Sequence, residues 1–165
     1  MTEKHKKKNI DNTVFLATTA LEEFWDKTLP IVFLGEWCRR YSRRLVWESL
    51  DAEVLEYPWI NGERFFNAFN YIEELYECAI DKLSRNLNRI HGITFSDRYW
   101  RILIGPWLRW YISIMYDRYT CLQDAIDRYP DFTTIVISPD SYVTPLDTLE
   151  FIQLAKDDGY NLQIF

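Results

Sequence analysis

A chain of 165 residues, 48% of them apolar and 17% aromatic, has the material for a sizeable core, and disorder is excluded on that ground. Its net charge of −6 argues against nucleic acid or an anionic membrane as the main partner, because both select a basic surface. Three widely spaced cysteines, Cys38, Cys78 and Cys121, with only two histidines, offer neither a disulfide framework nor a metal site, and no cofactor is expected.

Residues 1–12 read as a mobile, lysine-bearing basic arm, and residues 13–165 as a single α/β domain. The apolar run at Val14–Leu16 is too short for a secretory signal, so a reduced, cytoplasmic setting is expected. Thr13–Thr18 and Pro30–Gly35 are short, continuously apolar and β-prone, which suits interior strands of a parallel sheet covered on both faces. Between them, Thr19 and Glu22 stand at capping-box spacing and predict a short helix. Ala52–Glu56 is a weaker third strand and Thr133–Ser138 a fourth.

Two long helices fill the interval between the third and fourth strands. Over Glu63–Ile90, Phe65, Phe69, Ile72, Leu75, Tyr76, Ala79, Leu83 and Leu87 recur at three- and four-residue steps, and His91-Gly92 ends the run. The second begins at Ser96 or Asp97 and continues to about Tyr129, with a kink expected at Gly105-Pro106. Its apolar window, Tyr99–Tyr116, carries Arg101 and Arg109 and therefore reads as a buried helix rather than a transmembrane one. Pro145 opens a last helix, Leu146–Lys156. Strands interleaved with helices imply a three-layer, Rossmann-like α/β fold with a mainly parallel sheet, and ligands of such folds meet the carboxyl ends of the strands.

Those ends supply the candidate site. Gly35 would let a ligand approach the backbone, and Glu36 would be the base that deprotonates a hydroxyl. Arg39, Arg40, Arg43 and Arg44 form two i,i+4 pairs able to hold phosphate or a sugar carboxylate, or to be neutralised by acidic neighbours. Cys38 reads as a quiet buried thiol, and His91 as a cap of the helix that it ends. Arg98 and Arg101 occupy the first turns of the second long helix, where cations oppose the dipole and call for an acidic side chain or a ligand phosphate. The missing GxGxxG fingerprint argues against a nucleotide-binding regulatory domain.

Phe33-Leu34-Gly35-Glu36-Trp37-Cys38, Leu87-Asn88-Arg89-Ile90-His91-Gly92, the block Arg98–Leu108 and Asp117-Arg118-Tyr119 carry a further signal. Together they resemble the amino-terminal region of a bacterial family of transferases found among O-antigen and related surface-polysaccharide genes, over about Val14–Phe165. The resemblance implies the acceptor-side half of a two-domain glycosyltransferase. A nucleotide-sugar donor would be held by a carboxyl-terminal domain beyond Phe165, and a sugar or lipid-linked acceptor by this half. It supplies no catalytic residue, so Gly35, Glu36, Arg98, Arg101 and Gly105 carry over only as motif positions. An isolated 165-residue chain is then expected to be inactive or to need a separately encoded partner. The competing reading is a non-catalytic module, or split subunit, that docks a transferase through an aromatic surface.

Overall fold

A computed structural model describes residues 13–165, so the basic arm expected at 1–12 lies outside the described residues. Strands β1 (Val14–Ala17), β2 (Ile31–Phe33), β3 (Ala52–Val54) and β4 (Phe132–Thr133) form one all-parallel sheet in the order β3-β2-β1-β4. The register sets Phe15 beside Ile31 and Ala17 beside Phe33. Phe15, Ala17, Ile31 and Phe33 pack on one side with Trp25 and Cys38, whereas Leu16, Val32 and Leu34 pack on the other with Cys121 and Ala125. Burial on both faces is why these strands are continuously apolar. With turns on one face and a helix on the other, the result is the expected three-layer Rossmann-like α/β arrangement.

The covering layers differ from expectation in detail. No α-helix follows Thr19. The β1–β2 crossover is a chain with one 3-10 turn, Glu22–Phe24. The capping box does not form, because Thr19 Oγ1 accepts from Leu21 N at 3.2 Å while the Glu22 carboxylate is held by Arg43 Nε at 2.6 Å. Trp25 fills this layer instead, donating its indole N–H to Thr19 O at 2.8 Å and meeting Phe33 edge-on at 5.0 Å. Further along, 3-10 turns at Glu36–Cys38 and Tyr41–Arg43 lead into one helical turn, α1 (Arg44–Trp47).

Strand β4 is shorter and earlier than predicted. Only Phe132 and Thr133 find partners on β1, and Thr134 then caps the Leu16 carbonyl with its hydroxyl at 2.8 Å. Beyond that bond Val136 is 73% exposed, so the β-branched run to Ser138 has no neighbour to pair with.

Helices α2 (Gly62–His91) and α3 (Asp97–Arg128) form an antiparallel hairpin, each about 45–48 Å long at 1.5 Å per residue. The Asn61 side chain caps α2, accepting from Arg64 N, and Gly92 ends it in the left-handed conformation at φ 63°. His91 lies against the Trp100 ring rather than serving as that cap. Ile80, Leu108 and Ile112 form the hairpin's own core, joined by Tyr76, Leu83 and Ile104. Helix α3 runs through Pro106 as one helix. Pro106 is exposed, so the Ile102 carbonyl that it deprives of a donor faces water, and no break is needed. Gly105 permits the close approach of Tyr76, whose hydroxyl would lie 2.6 Å from an added Cβ.

The sheet is covered only by the last third of α3, through Cys121, Leu122, Ala125 and Tyr129. The chain returns over the carboxyl ends of the strands as α4 (Thr148–Leu154) and α5 (Asp158–Ile164), capped by Asp147 and Asp157. Helix α4 is shorter than the predicted Leu146–Lys156, since Asp147 rather than Pro145 starts it. No described helix is long and apolar enough to cross a membrane.

The hairpin tip is closed by one amide. Asn88 donates to Phe95 O at 2.8 Å and accepts from Phe95 N at 3.1 Å and from the indole of Trp100 at 2.9 Å. Trp100 is 4% exposed, so Asn88→Ala strands a buried donor. A loss of about 1–3 kcal/mol is expected, read as a lower urea midpoint at unchanged slope.

Candidate functional site

A cavity of about 460 Å³ opens at the carboxyl ends of β1, β2 and β3. Its walls come from the turn after β2 (Glu36, Trp37), the loop after β3 (Tyr57), the middle of α3 (Asp117, Arg118) and the α4–α5 junction (Lys156, Asp158, Asn161). This is the position that a parallel α/β sheet reserves for ligands.

Gly35 precedes the first wall and is buried. Its backbone is extended, and a Cβ there would meet the Trp37 ring at 2.0 Å, so the missing side chain makes room for the indole. Trp37 reaches back to donate to Thr18 O at 3.2 Å, stacks parallel on Phe165 at 6.2 Å and meets Tyr57 edge-on at 6.3 Å. Beneath it Cys38 is fully buried, and burial pushes its thiol up to about 12, so it is no nucleophile at neutral pH.

The next wall is built by two consecutive residues of α3. Asp117 Oδ1 accepts from the Trp59 indole at 2.5 Å and the Tyr57 hydroxyl at 3.1 Å. Arg118 bonds Asp117 on one side and, on the other, Asn161 Oδ1 at 2.9 Å and Ala155 O at 3.2 Å, with its guanidinium over the Phe165 ring. Arg118 makes four hydrogen bonds in this way and works as a tie between α3 and the α4–α5 segment. Asn161, 7% exposed, spends its amide on Ala155 O and Asp157 O.

The arginines expected to hold an anion are matched to acids. Arg39 grips Glu36 Oε1 and Oε2 at 2.6 Å and lies 4.8 Å over Trp47; Arg40 pairs with Asp158; Arg43 pairs with Glu22. Arg44 stacks on Tyr41 at 4.9 Å. Of the predicted residues Glu36 lines the cavity, while Arg39 and Arg40 stand behind the lining, paired with Glu36 and with Asp158, which the sequence did not single out. Arg98 and Arg101 lie apart from it. Arg101 lies sixteen residues before Asp117, about 24 Å along α3, where it forms a bidentate pair with Glu77 at 2.7 Å. Arg98 is exposed, with no acidic partner among the described residues.

The cavity thus collects the carboxylates of Glu36, Asp117 and Asp158, the ammonium of Lys156 and two aromatic rings. Among the described residues no three His, Cys, Asp or Glu side chains stand close enough together to hold a metal ion. The arrangement accepts hydrogen bonds from hydroxyl groups and offers ring faces to carbon–hydrogen surfaces. An anion is poorly served, because the nearby guanidiniums are already neutralised. Asp117 and Arg118 could have been found from the sequence as an adjacent opposite pair inside an otherwise apolar helical stripe.

Burial, and then the Asp117 carboxylate, push the Tyr57 hydroxyl up to about 12, so it is a donor at neutral pH. Because the folded value lies above the usual 10, its contribution to stability is complete below pH 10 and declines between pH 10 and 12. Phenolate absorbance of the native protein minus that of Tyr57→Phe should show one late transition near pH 12. A transition near 10 would mean that Tyr57 is neither buried nor bonded to Asp117.

A family model for the LIC12162 family of transferases matches residues 14–165. No curated protein and no solved structure matches the chain. With the match covering every described residue but Thr13, the chain belongs to the LIC12162 transferase family.

Proposed function

We propose that residues 13–165 are the acceptor-side domain of a cytoplasmic glycosyltransferase in bacterial surface-polysaccharide assembly, and that the cavity at the strand ends holds the acceptor sugar. The observation that carries this reading is the pairing of three carboxylates with the ring faces of Trp37 and Tyr57 in one opening. A sugar is rich in hydroxyl donors and has apolar faces, and both needs are met there.

Glu36 sits at the rim with its side chain 73% exposed, oriented by Arg39, and is the group that takes the proton from the attacking hydroxyl. Arg39 and Arg40, through Glu36 and Asp158, hold the acidic wall in place. Gly35 contributes by giving Trp37 its position. Arg98 and Arg101 lie outside this cavity, and Arg101 is held by Glu77. Arg39, Arg40 and Arg118 are spent on Glu36, Asp158 and Asp117, which leaves Lys156 alone in the lining to meet a donor diphosphate, so the nucleotide-sugar is assigned to another domain or chain.

Calorimetric titration of the chain with methyl glycosides tests the reading. Binding is expected to weaken about tenfold in Glu36→Gln and in Asp158→Asn, the scale of one lost charge-assisted hydrogen bond. Unchanged affinity in both variants, or tighter binding of a nucleotide-sugar than of a glycoside, would overturn it.

The second reading, a module that docks a partner transferase, draws on rings that stand half-exposed on the hairpin, Phe65, Phe66, Phe69 and Trp110 among them. Light scattering distinguishes the two. A monomer that binds glycosides retains the first, and a chain that binds no glycoside but forms a discrete complex with a transferase supports the second.

A further inference from the structure

Behind the Tyr57–Asp117–Arg118 wall lies a second cavity of about 420 Å³, set in the groove between α2 and α3 and sharing those three residues with the first. Its remaining lining is of another kind: Phe65, Phe69 and Ile72 from α2, Trp110 and Ile114 from α3. The polar groups among them are largely engaged. Ser113 donates its hydroxyl to Arg109 O at 2.9 Å, Arg109 is paired with Glu73 and lies over the Phe69 and Tyr76 rings, and the Trp59 indole is given to Asp117. A polar ligand here would exchange water for carbon and leave its own groups without partners, at a cost of a few kcal/mol for each. Carbon is what the groove accepts.

The apolar lining does not stop at the cavity. Trp110, Pro106, Leu103 and Tyr99 follow one another on α3 at steps of four, three and four residues, which keeps them on the face that Ser113 and Asp117 occupy. All four are exposed, Leu103 by 59% and Trp110 by 50%. The strip points away from the side of α3 on which Leu108 and Ile112 meet α2, and it runs from the cavity's edge at Trp110 for about 16 Å along the outer side of α3.

We infer that the ligand is amphipathic: its polar head lies in the acidic cavity at the strand ends, and an aliphatic chain attached to that head runs through the Phe65–Trp110 groove along α3. The inference rests on the proposed sugar site for the head and on the groove alone for the tail. Tyr57, Asp117 and Arg118 line both cavities, and a chain attached to the head passes over this shared rim from one to the other.

The test compares methyl β-glucoside with octyl β-glucoside below its micelle concentration, titrated into the full chain. The octyl glycoside is expected to bind on the order of 100-fold more tightly, the gain from burying roughly four methylenes. Trp110→Ser and Phe65→Ser, both at half-exposed positions and so tolerable to the fold, should remove at least tenfold of that gain without changing methyl glucoside binding. Leu45→Ser, on α1, outside the lining of both cavities and 79% exposed, should change neither. Equal affinity for the two glycosides overturns the inference and leaves the sugar site standing. Binding that grows with chain length, yet is the same for octyl tetraethylene glycol and indifferent to Asp158→Asn, upholds the groove and counts against the sugar head. Two further outcomes overturn the inference: octyl glucoside left unbound while the chain sediments with phosphatidylglycerol vesicles makes the strip a membrane contact, and octyl glucoside left unbound while Trp110→Ser converts a dimer to a monomer makes it a contact with a second copy.

Discussion

The organisation of this molecule depends on the adjacency of Asp117 and Arg118 on α3. Successive helical residues point about 100° apart, so the two charges reach in different directions while neutralising each other. Asp117 draws in the loop after β3 through Tyr57 and Trp59, and Arg118 draws in the α4–α5 junction through Ala155 and Asn161. Two chain segments distant in sequence are thereby fixed on either side of one helix, and the space between them is the cavity over the strand ends. Both charges are partly buried and multiply bonded, the condition under which an ion pair orders a structure instead of decorating its surface.

Much of the fold was legible because its signals are local. β1 and β2 announce themselves as apolar runs with no alternation, and α2 and α3 match the periodic segments almost to the residue, with Asn61, Gly92 and Ser96 marking three of their four ends. What could not be read was decided at long range. The Thr134–Ser138 run has the composition of a strand, but its pairing with β1 stops at Thr133, where the Thr134 hydroxyl takes the Leu16 carbonyl. Glu22 has the spacing of a capping box but a stronger claim on it comes from Arg43, twenty-one residues away.

The site divides in the same way. Strand-end reasoning led to Glu36 and its neighbouring arginines, because a parallel sheet fixes where ligands enter. It missed Asp158 and Asn161, which come from a short helix outside the predicted elements, and it could not know that Asp117 faces the sheet's end. The arginines at the start of α3 did require an anion, and for Arg101 a glutamate of α2 provides it. Electrostatic demand was readable from sequence; the identity of the group that meets it was not.

The hairpin has a mechanical consequence. It is rooted on the sheet through Cys121 and Ala125 and tied to the rest of the fold at Asp117, Arg118 and, against Phe151, at Tyr111; from Asp117 to Asp97 its arm extends twenty residues, about 30 Å. The arm is internally stiff, braced by Arg64 with Asp124, Arg109 with Glu73 and Arg101 with Glu77 and sealed at the tip by Asn88. It therefore behaves as a lever: a pivot of about 10° at the root sweeps the tip through roughly 5 Å, with that arm length. With that geometry, a small rearrangement around the cavity would be enlarged at the opposite end of the molecule.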